Sequence, residues 1–341
     1  MRRFIPFDGM LLAVCVVLAT LASMLPMSSR AADKPTLTVY TYDSFVSDWG
    51  PGPALKKAFE KRCDCNLNLV GTSDAGALLS RLQLEGSGQA DVVLGLDNNQ
   101  RAQARATGLL APLPAGLPRP AVPGQWQDDT FMPVDWGWFA FVYDRTRLKN
   151  PPHSFKQLVQ GHYRVVIEDP RTSTPGLGLL LWVRELYGDQ ASQAWRQLRP
   201  QIVTVAQSWT DAYNLFLKGE ADLALSYTTS PAYHQMEEHK QQYAAAIFDE
   251  GQPVQVEVAA KVKNGPHPRL ADAFLHFLTS HAAQKLMATG NWMYPAFDSG
   301  KPLPDAFKAL PRPAHTLMLS PETIASHKSR WLREWQGAMS Y

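Results

Sequence analysis

TLTVYTYDSFVSDWGPGPALKKAFEKR, residues 36–62, changes its period half-way. The first residues alternate and are β-branched or aromatic, which predicts a strand ending in polar residues. WGPGP then reads as a turn, with Pro51 or Pro53 near the first turn of a helix. The pattern continues with a strand, NLNLVG (66–71), a helix, DAGALLSRLQLEG (74–86), and a strand, ADVVLGL (90–96). This β-α-β-α-β rhythm predicts an open, mainly parallel α/β sheet. Ligands of such sheets bind beyond the carboxyl ends of the strands. Tyr42-Asp43-Ser44, Thr72-Ser73-Asp74 and Asp97-Asn98-Asn99 occupy those ends and are expected to converge on one rim.

A second unit follows a Pro-rich loop at 112–124. MPVDWGWFAFVYD (132–144) reads as a long strand. RVVIED (164–169), IVTVA (202–206) and ADLAL (221–225) read as shorter strands, with helices between them. VQVEVAAKV (254–262) is a further long strand. Two α/β units joined by two extended segments, with facing strand ends, form a hinged clamshell. The expected lobes are 32–132 with about 256–310, and 133–255 with the C-terminal helices to 341.

The N-terminus bears on compartment. Arg2 and Arg3 precede an apolar run from Met10 to Leu25, and Ser29 and Ala31 fit a signal-peptidase site. Residues 1–31 therefore read as a signal peptide cleaved after Ala31. Its removal takes away three Arg and one Asp and moves the formal charge from +2 to 0. A neutral mature chain carries no electrostatic footprint for nucleic acid or anionic lipid. Cys63 and Cys65 are free to pair in an oxidising compartment, across a tight one-residue spacer. They lack a third nearby sulfur or imidazole for a zinc site.

SYTTSPAY (226–233) follows a buried-looking strand and reads as a nucleophile site, a polar turn or a pocket wall. No G-x-S-x-G elbow, H-E-x-x-H, dinucleotide fingerprint or Walker A accompanies it, so catalysis is not expected. In DPRTSTPGLGLLLW (169–182), Pro175 sits at a helix start with Ser173 or Thr174 as cap. That is helix capping on its own, or an amide and hydroxyl cluster for a ligand's anionic or carbonyl group. Tyr42, Trp49, Trp209, Tyr227, Tyr233, Trp292 and Tyr294 all lie near element ends in polar company. Rings beside hydroxyls and carboxylates suit a flat, partly polar, cationic ligand. Asp43, Asp48, Asp74 and Asp97 are candidates for its counter-charge.

TVYTYDSF, DWGPGP, DVVLGLDNN, DPRTSTPGLGLLLW, LSYTTSPAY and TGNWMYP occur in the order found in the periplasmic thiamine-binding proteins, and the chain resembles that family from residue 36 to near its end. The family's CxC pair matches Cys63-Asp64-Cys65. The resemblance implies a type II periplasmic-binding-protein fold. It implies a monomer that binds thiamine and its mono- and diphosphate in the periplasm and delivers them to an inner-membrane ABC permease with its ATPase. It implies neither a cofactor nor a metal. Ligand contacts are implied at Asp74, Ala75, Ser173, Thr174, Trp209, Tyr227, Thr228, Thr229 and Ser230, with further rings from Tyr42, Trp49, Tyr233 and Trp292. Ala75 departs from the pattern, because a glycine is usual there; Gly76 follows it. The alternative is a ferric-ion or polyamine binder. Iron would want clustered hard oxygen donors, whereas Tyr227 and Tyr233 are six apart.

Overall fold

The computed structural model describes residues 34–340. The apolar run at 10–25 and the cleavage expected after Ala31 lie outside the described residues. Among the described residues the strands are β1 (Thr36–Tyr42), β2 (Asn66–Thr72), β3 (Val92–Asp97), β4 (Leu110–Ala111), β5 (Met132–Asp144), β6 (Val165–Glu168), β7 (Ile202–Ala206), β8 (Leu223–Tyr227), β9 (Tyr243–Ala246), β10 (Gln252–Val262), β11 (Tyr294–Pro295) and β12 (Thr316–Leu317). Their main path is β2-β1-β3-β10-β5-β8-β6-β7.

The path is nearly symmetric. β1 is parallel to both β2 and β3, and β6 is parallel to both β7 and β8. Between the two parallel sets lie the long strands β10 and β5, antiparallel to each other. The two halves of β5 serve different sets. Met132–Trp138 pairs with β10, and Phe139–Tyr143 pairs with β8. β10 likewise pairs with β3 through Glu257–Lys261. The two extended segments seen in the sequence are therefore the strands that join the two lobes.

The helices are α1 (Asp43–Val46), α2 (Gly52–Cys63), α3 (Ala75–Glu85), α4 (Arg101–Ala106), α5 (Phe155–Gln160), α6 (Thr174–Tyr187), α7 (Ala191–Leu198), α8 (Trp209–Leu217), α9 (Ser230–Glu237), α10 (Pro268–Leu278), α11 (His281–Gly290), α12 (Asp305–Lys308) and α13 (Pro321–Met339). None of them is long and apolar enough to cross a membrane. Prolines sit in the first turns of α2, α6, α9, α10 and α13, where a missing N–H costs nothing. Side-chain caps hold other starts: Ser208 accepts from the Asp211 amide at 3.2 Å, and Asp74 accepts from the Ala75 amide at 2.7 Å.

Apolar side chains cover both faces of each parallel set. Leu37, Val39, Phe59 and Phe274 share one core, and Leu78, Val93 and Val258 share another. In the second lobe, Phe141, Trp182 and Leu225 pack with Trp331 and Trp335 of α13, while Val142, Ala212 and Phe216 fill the opposite face. Cys63 and Cys65 form a disulfide at the end of α2, where Asp64 takes a left-handed conformation.

Candidate ligand-binding site

The strand ends of the two lobes enclose a cavity of about 250 Å³. Tyr42, Ser44, Trp49, Ser73 and Asp74 line it from the first lobe. Thr174, Trp209, Tyr213, Tyr227, Thr229, Ser230, Tyr233 and Glu238 line it from the second. β10 contributes Gln255 and Glu257, and the turn after α11 contributes Asn291, Trp292 and Met293. Ten of the thirteen site residues expected from the sequence therefore reach the cavity wall. Ala75, Ser173 and Thr228 do not; all three are buried just behind it.

Four helices begin at this wall. α3 starts after Asp74, α6 at Thr174, α8 at Trp209 and α9 at Ser230. Their orphan amides and dipoles make the wall attractive to ligand oxygens. SYTTSPAY resolves into a strand end, a turn at Thr228-Thr229 and the opening of α9. Helix α9 went unread in the sequence, although Ser230-Pro231 is an ordinary helix-opening pair. Ser226 Oγ receives the Trp209 Nε1 hydrogen at 2.8 Å and lies 2.8 Å from Ser230 Oγ, so these polar groups brace one another. Trp209 also stacks on Tyr213 with centroids 5.0 Å apart and meets Trp49 of the other lobe at 6.2 Å.

The lobes touch directly at Asp74. Its Oδ1 accepts from the Ala75 amide and, at 3.4 Å, from the Thr174 amide of the second lobe. Burial raises the Asp74 carboxyl above its ordinary value; the Ala75 amide, the Ser173 hydroxyl and the Thr174 and Trp209 amides around it pull the other way. Ser173 Oγ lies in that field without a partner at hydrogen-bonding geometry. One residue on, the Gly76 amide donates to Thr172 O at 3.0 Å. A Cβ at Gly76 would stand 2.7 Å from the carbonyl oxygens of Arg171 and Thr172. Glycine is needed there for close approach between lobes, not for an unusual φ.

Other residues take different places from those expected. Asp97, Asn98 and Asn99 do not join the rim. Asn98 Oδ1 accepts from the Val256 amide at 2.8 Å and ties β3 to β10, while Asp97 Oδ1 caps the following turn. Asp43 and Asp48 are absent from the cavity wall. Arg171 forms a bidentate pair with Asp169 outside the cavity.

The hinge strands bring in acids that sequence reading passed over. Glu257 is 2% exposed, and Asp135 faces it in register on β5. Glu257 Oε2 accepts from Tyr42 Oη at 2.9 Å and from Asn291 Nδ2 at 3.2 Å; the same Asn291 nitrogen donates to Asp135 Oδ2 at 2.7 Å. Burial raises Asp135 to about 7 and holds Glu257 well above the usual carboxylate range, with Asp135 adding repulsion. The signal was present: Gln255 and Glu257 are two polar residues at i and i+2 in VQVEV, hence on one face of a strand. Trp292 is also unusual. It holds φ 56° just past the C-terminus of α11, where glycine is the common choice. Its ring is kept there by Phe307, stacked at 6.3 Å, and by the edge of Tyr233 at 5.6 Å.

A family model described as bacterial extracellular solute-binding protein matches residues 50–285. The chain belongs to this family. A relative named thiamine-binding periplasmic protein, from Salmonella typhimurium, is 54% identical over 320 residues, covering 93% of this chain and 97% of its own. A solved structure of a periplasmic thiamin binding protein superposes with a TM-score of 0.87 at 55% identity, covering 90% and 97% of the two chains. A more distant relative named Iron uptake protein A2, from Synechocystis, stands at 25% identity over 304 residues, covering 81% of this chain and 82% of its own. The two-lobed fold is the type II clamshell of these periplasmic binding proteins.

Proposed function

We propose that this protein binds thiamine in the periplasm and delivers it to an ABC permease, as a monomeric carrier and not a catalyst. The observation that carries the reading is the cavity's chemistry. Tyr42, Trp49, Trp209, Tyr227, Tyr233 and Trp292 supply rings to its wall. Its charged lining residues are Asp74, Glu238 and Glu257, and no Lys or Arg is among the lining residues described. Such a wall favours a flat cation, and thiamine carries a permanent thiazolium charge beside an aminopyrimidine ring. Relatives 54% identical bear the matching name.

The thiamine arm ends in a hydroxyl that also occurs as a mono- or diphosphate. The amides opening α6, α8 and α9, with the wall residues Thr174, Thr229 and Ser230, are the donors for that end, and Ser173 and Thr228 back them from behind the wall. Ala75 acts through Asp74, whose carboxylate accepts its amide hydrogen. Ligand contacts from both lobes exist only when the clamshell is closed, so binding favours closure. The ferric-ion alternative would need tyrosines converging on one point. Here the Tyr227 hydroxyl donates to Gln255, while Tyr233 packs against Trp292. A polyamine would need several unengaged acids, and only Glu257 of the three has a fully buried oxygen without a partner.

Thermal unfolding of the mature protein tests the reading. Thiamine at a hundredfold excess over Kd stabilises by about 2.7 kcal/mol, which is a rise of several degrees. A melting temperature unmoved by millimolar thiamine, but raised by ferric ion or spermidine, would transfer the protein to the alternative class.

A further inference from the structure

Three acids line the cavity, and they differ in how they are held. Asp74 caps α3 and accepts across the cleft from Thr174. Glu238 sits beside His234 at 2.7 Å and Lys240 at 3.1 Å. Glu257 differs. Its Oε2 is held by Tyr42 and Asn291, which fixes the carboxyl plane, but its Oε1 is buried with no partner. A buried carboxyl oxygen without a donor is costly unless a proton or a ligand cation meets it. We propose that Glu257, and not Asp74, is the counter-charge for the ligand's cationic ring, and that it makes the cavity select a cation over a neutral ligand of the same shape.

The surroundings of Glu257 fit this task. Tyr42 faces it from β1, Asp135 from β5, Asn291 from the turn after α11, and Asp97 acts on it from β3, with Lys328 beyond Asp97. No cation contacts the carboxyl itself. In the empty site, burial and the facing Asp135 push the Glu257 carboxyl toward its protonated form. A permanent cation entering the cavity beside the Glu257 carboxyl reverses that preference. The proton then leaves to solvent as the cation arrives, and the carboxylate–cation pair forms out of water, where attraction is strong. The inference rests on the thiamine reading and goes further by naming the residue that recognises the charge.

The test compares thiamine with deazathiamine, its neutral isostere, in wild type and Glu257→Gln. Gln matches the shape and neutrality of the protonated acid, so folding should be kept, as melting curves will check. Wild type should favour thiamine by about tenfold or more, the scale of a desolvated charge pair. Glu257→Gln should lose that preference while holding its affinity for deazathiamine. In wild type alone, calorimetry in buffers of different ionisation enthalpy should find proton release with thiamine and none with deazathiamine. Wild type that binds no thiamine would sink the parent reading, and this inference with it. Wild type that binds thiamine with no preference over deazathiamine, or a variant that keeps the preference, would overturn the role of Glu257 alone.

Discussion

Asp74 and Glu257 are both buried acids on the wall of one cavity, and both are pushed up by burial. Their settings differ. Asp74 stands where helices from two lobes begin, among amide donors. Glu257 stands on a hinge strand, opposite a second acid, with one oxygen unmet. Backbone amides from two lobes make Asp74 a structural clasp, whereas Glu257 is held by side chains alone and keeps one buried oxygen unmet. Burial alone does not separate the two roles; the kind of donor and the neighbouring acid do.

The largest effect should come from removing the clasp. Asp74→Ala takes away the α3 cap and the link to Thr174. Thiamine affinity, read by calorimetry, should fall by about 2 kcal/mol, roughly thirtyfold. The ligand-free protein should lose only about 1 kcal/mol for the cap. Equal losses in both would make Asp74 a plain stability residue. Next comes Gly76→Ala, which sharpens the same point without touching a charge. The methyl would press on Thr172 and Arg171 backbone only when the lobes meet. Affinity should fall about tenfold, while the melting temperature without ligand stays level or rises, because alanine suits a helix better.

Trp209→Ala removes a ring that bridges toward Trp49 and is braced by Tyr213. Tryptophan-quench titration should give a loss of about 1 kcal/mol, smaller than either change at the clasp. The smallest effect is on the acids behind the wall. Asp97 rises from its ordinary 3.8 to about 6 through burial. A raised carboxyl stabilises the fold when protonated, fully below about pH 4, and that contribution is lost as pH rises through about 6. Asp135 acts in the same sense through about 7. The melting temperature of ligand-free protein should therefore drop by a few degrees between about pH 4 and 7, and Asp97→Asn should flatten the part of the drop below about pH 6.

Much of this was legible in the sequence. The alternation in TLTVYTY and VQVEVAAKV and the two β-α rhythms led to two parallel sets joined by long strands, because periodicity follows burial directly. The rings were legible as well, since aromatic residues at strand ends in polar company have few other uses. Three things were not. Asp97 looked like a rim residue, but strand-end position does not reveal a neighbour such as β10, which buried it. Glu257 was hidden in a strand read only for its hinge role. The need for Gly76 was hidden as well, because its φ is ordinary and its small size is what the facing backbone of the other lobe requires.

Lobe closure around thiamine through the Asp74–Gly76 contact is the central claim, and small-angle X-ray scattering with and without saturating thiamine measures it most directly. Wild type should become more compact on adding thiamine, and Gly76→Ala should compact less than wild type when saturated. A Gly76→Ala protein that compacts as fully as wild type, or a wild type that binds thiamine without compaction, would contradict it.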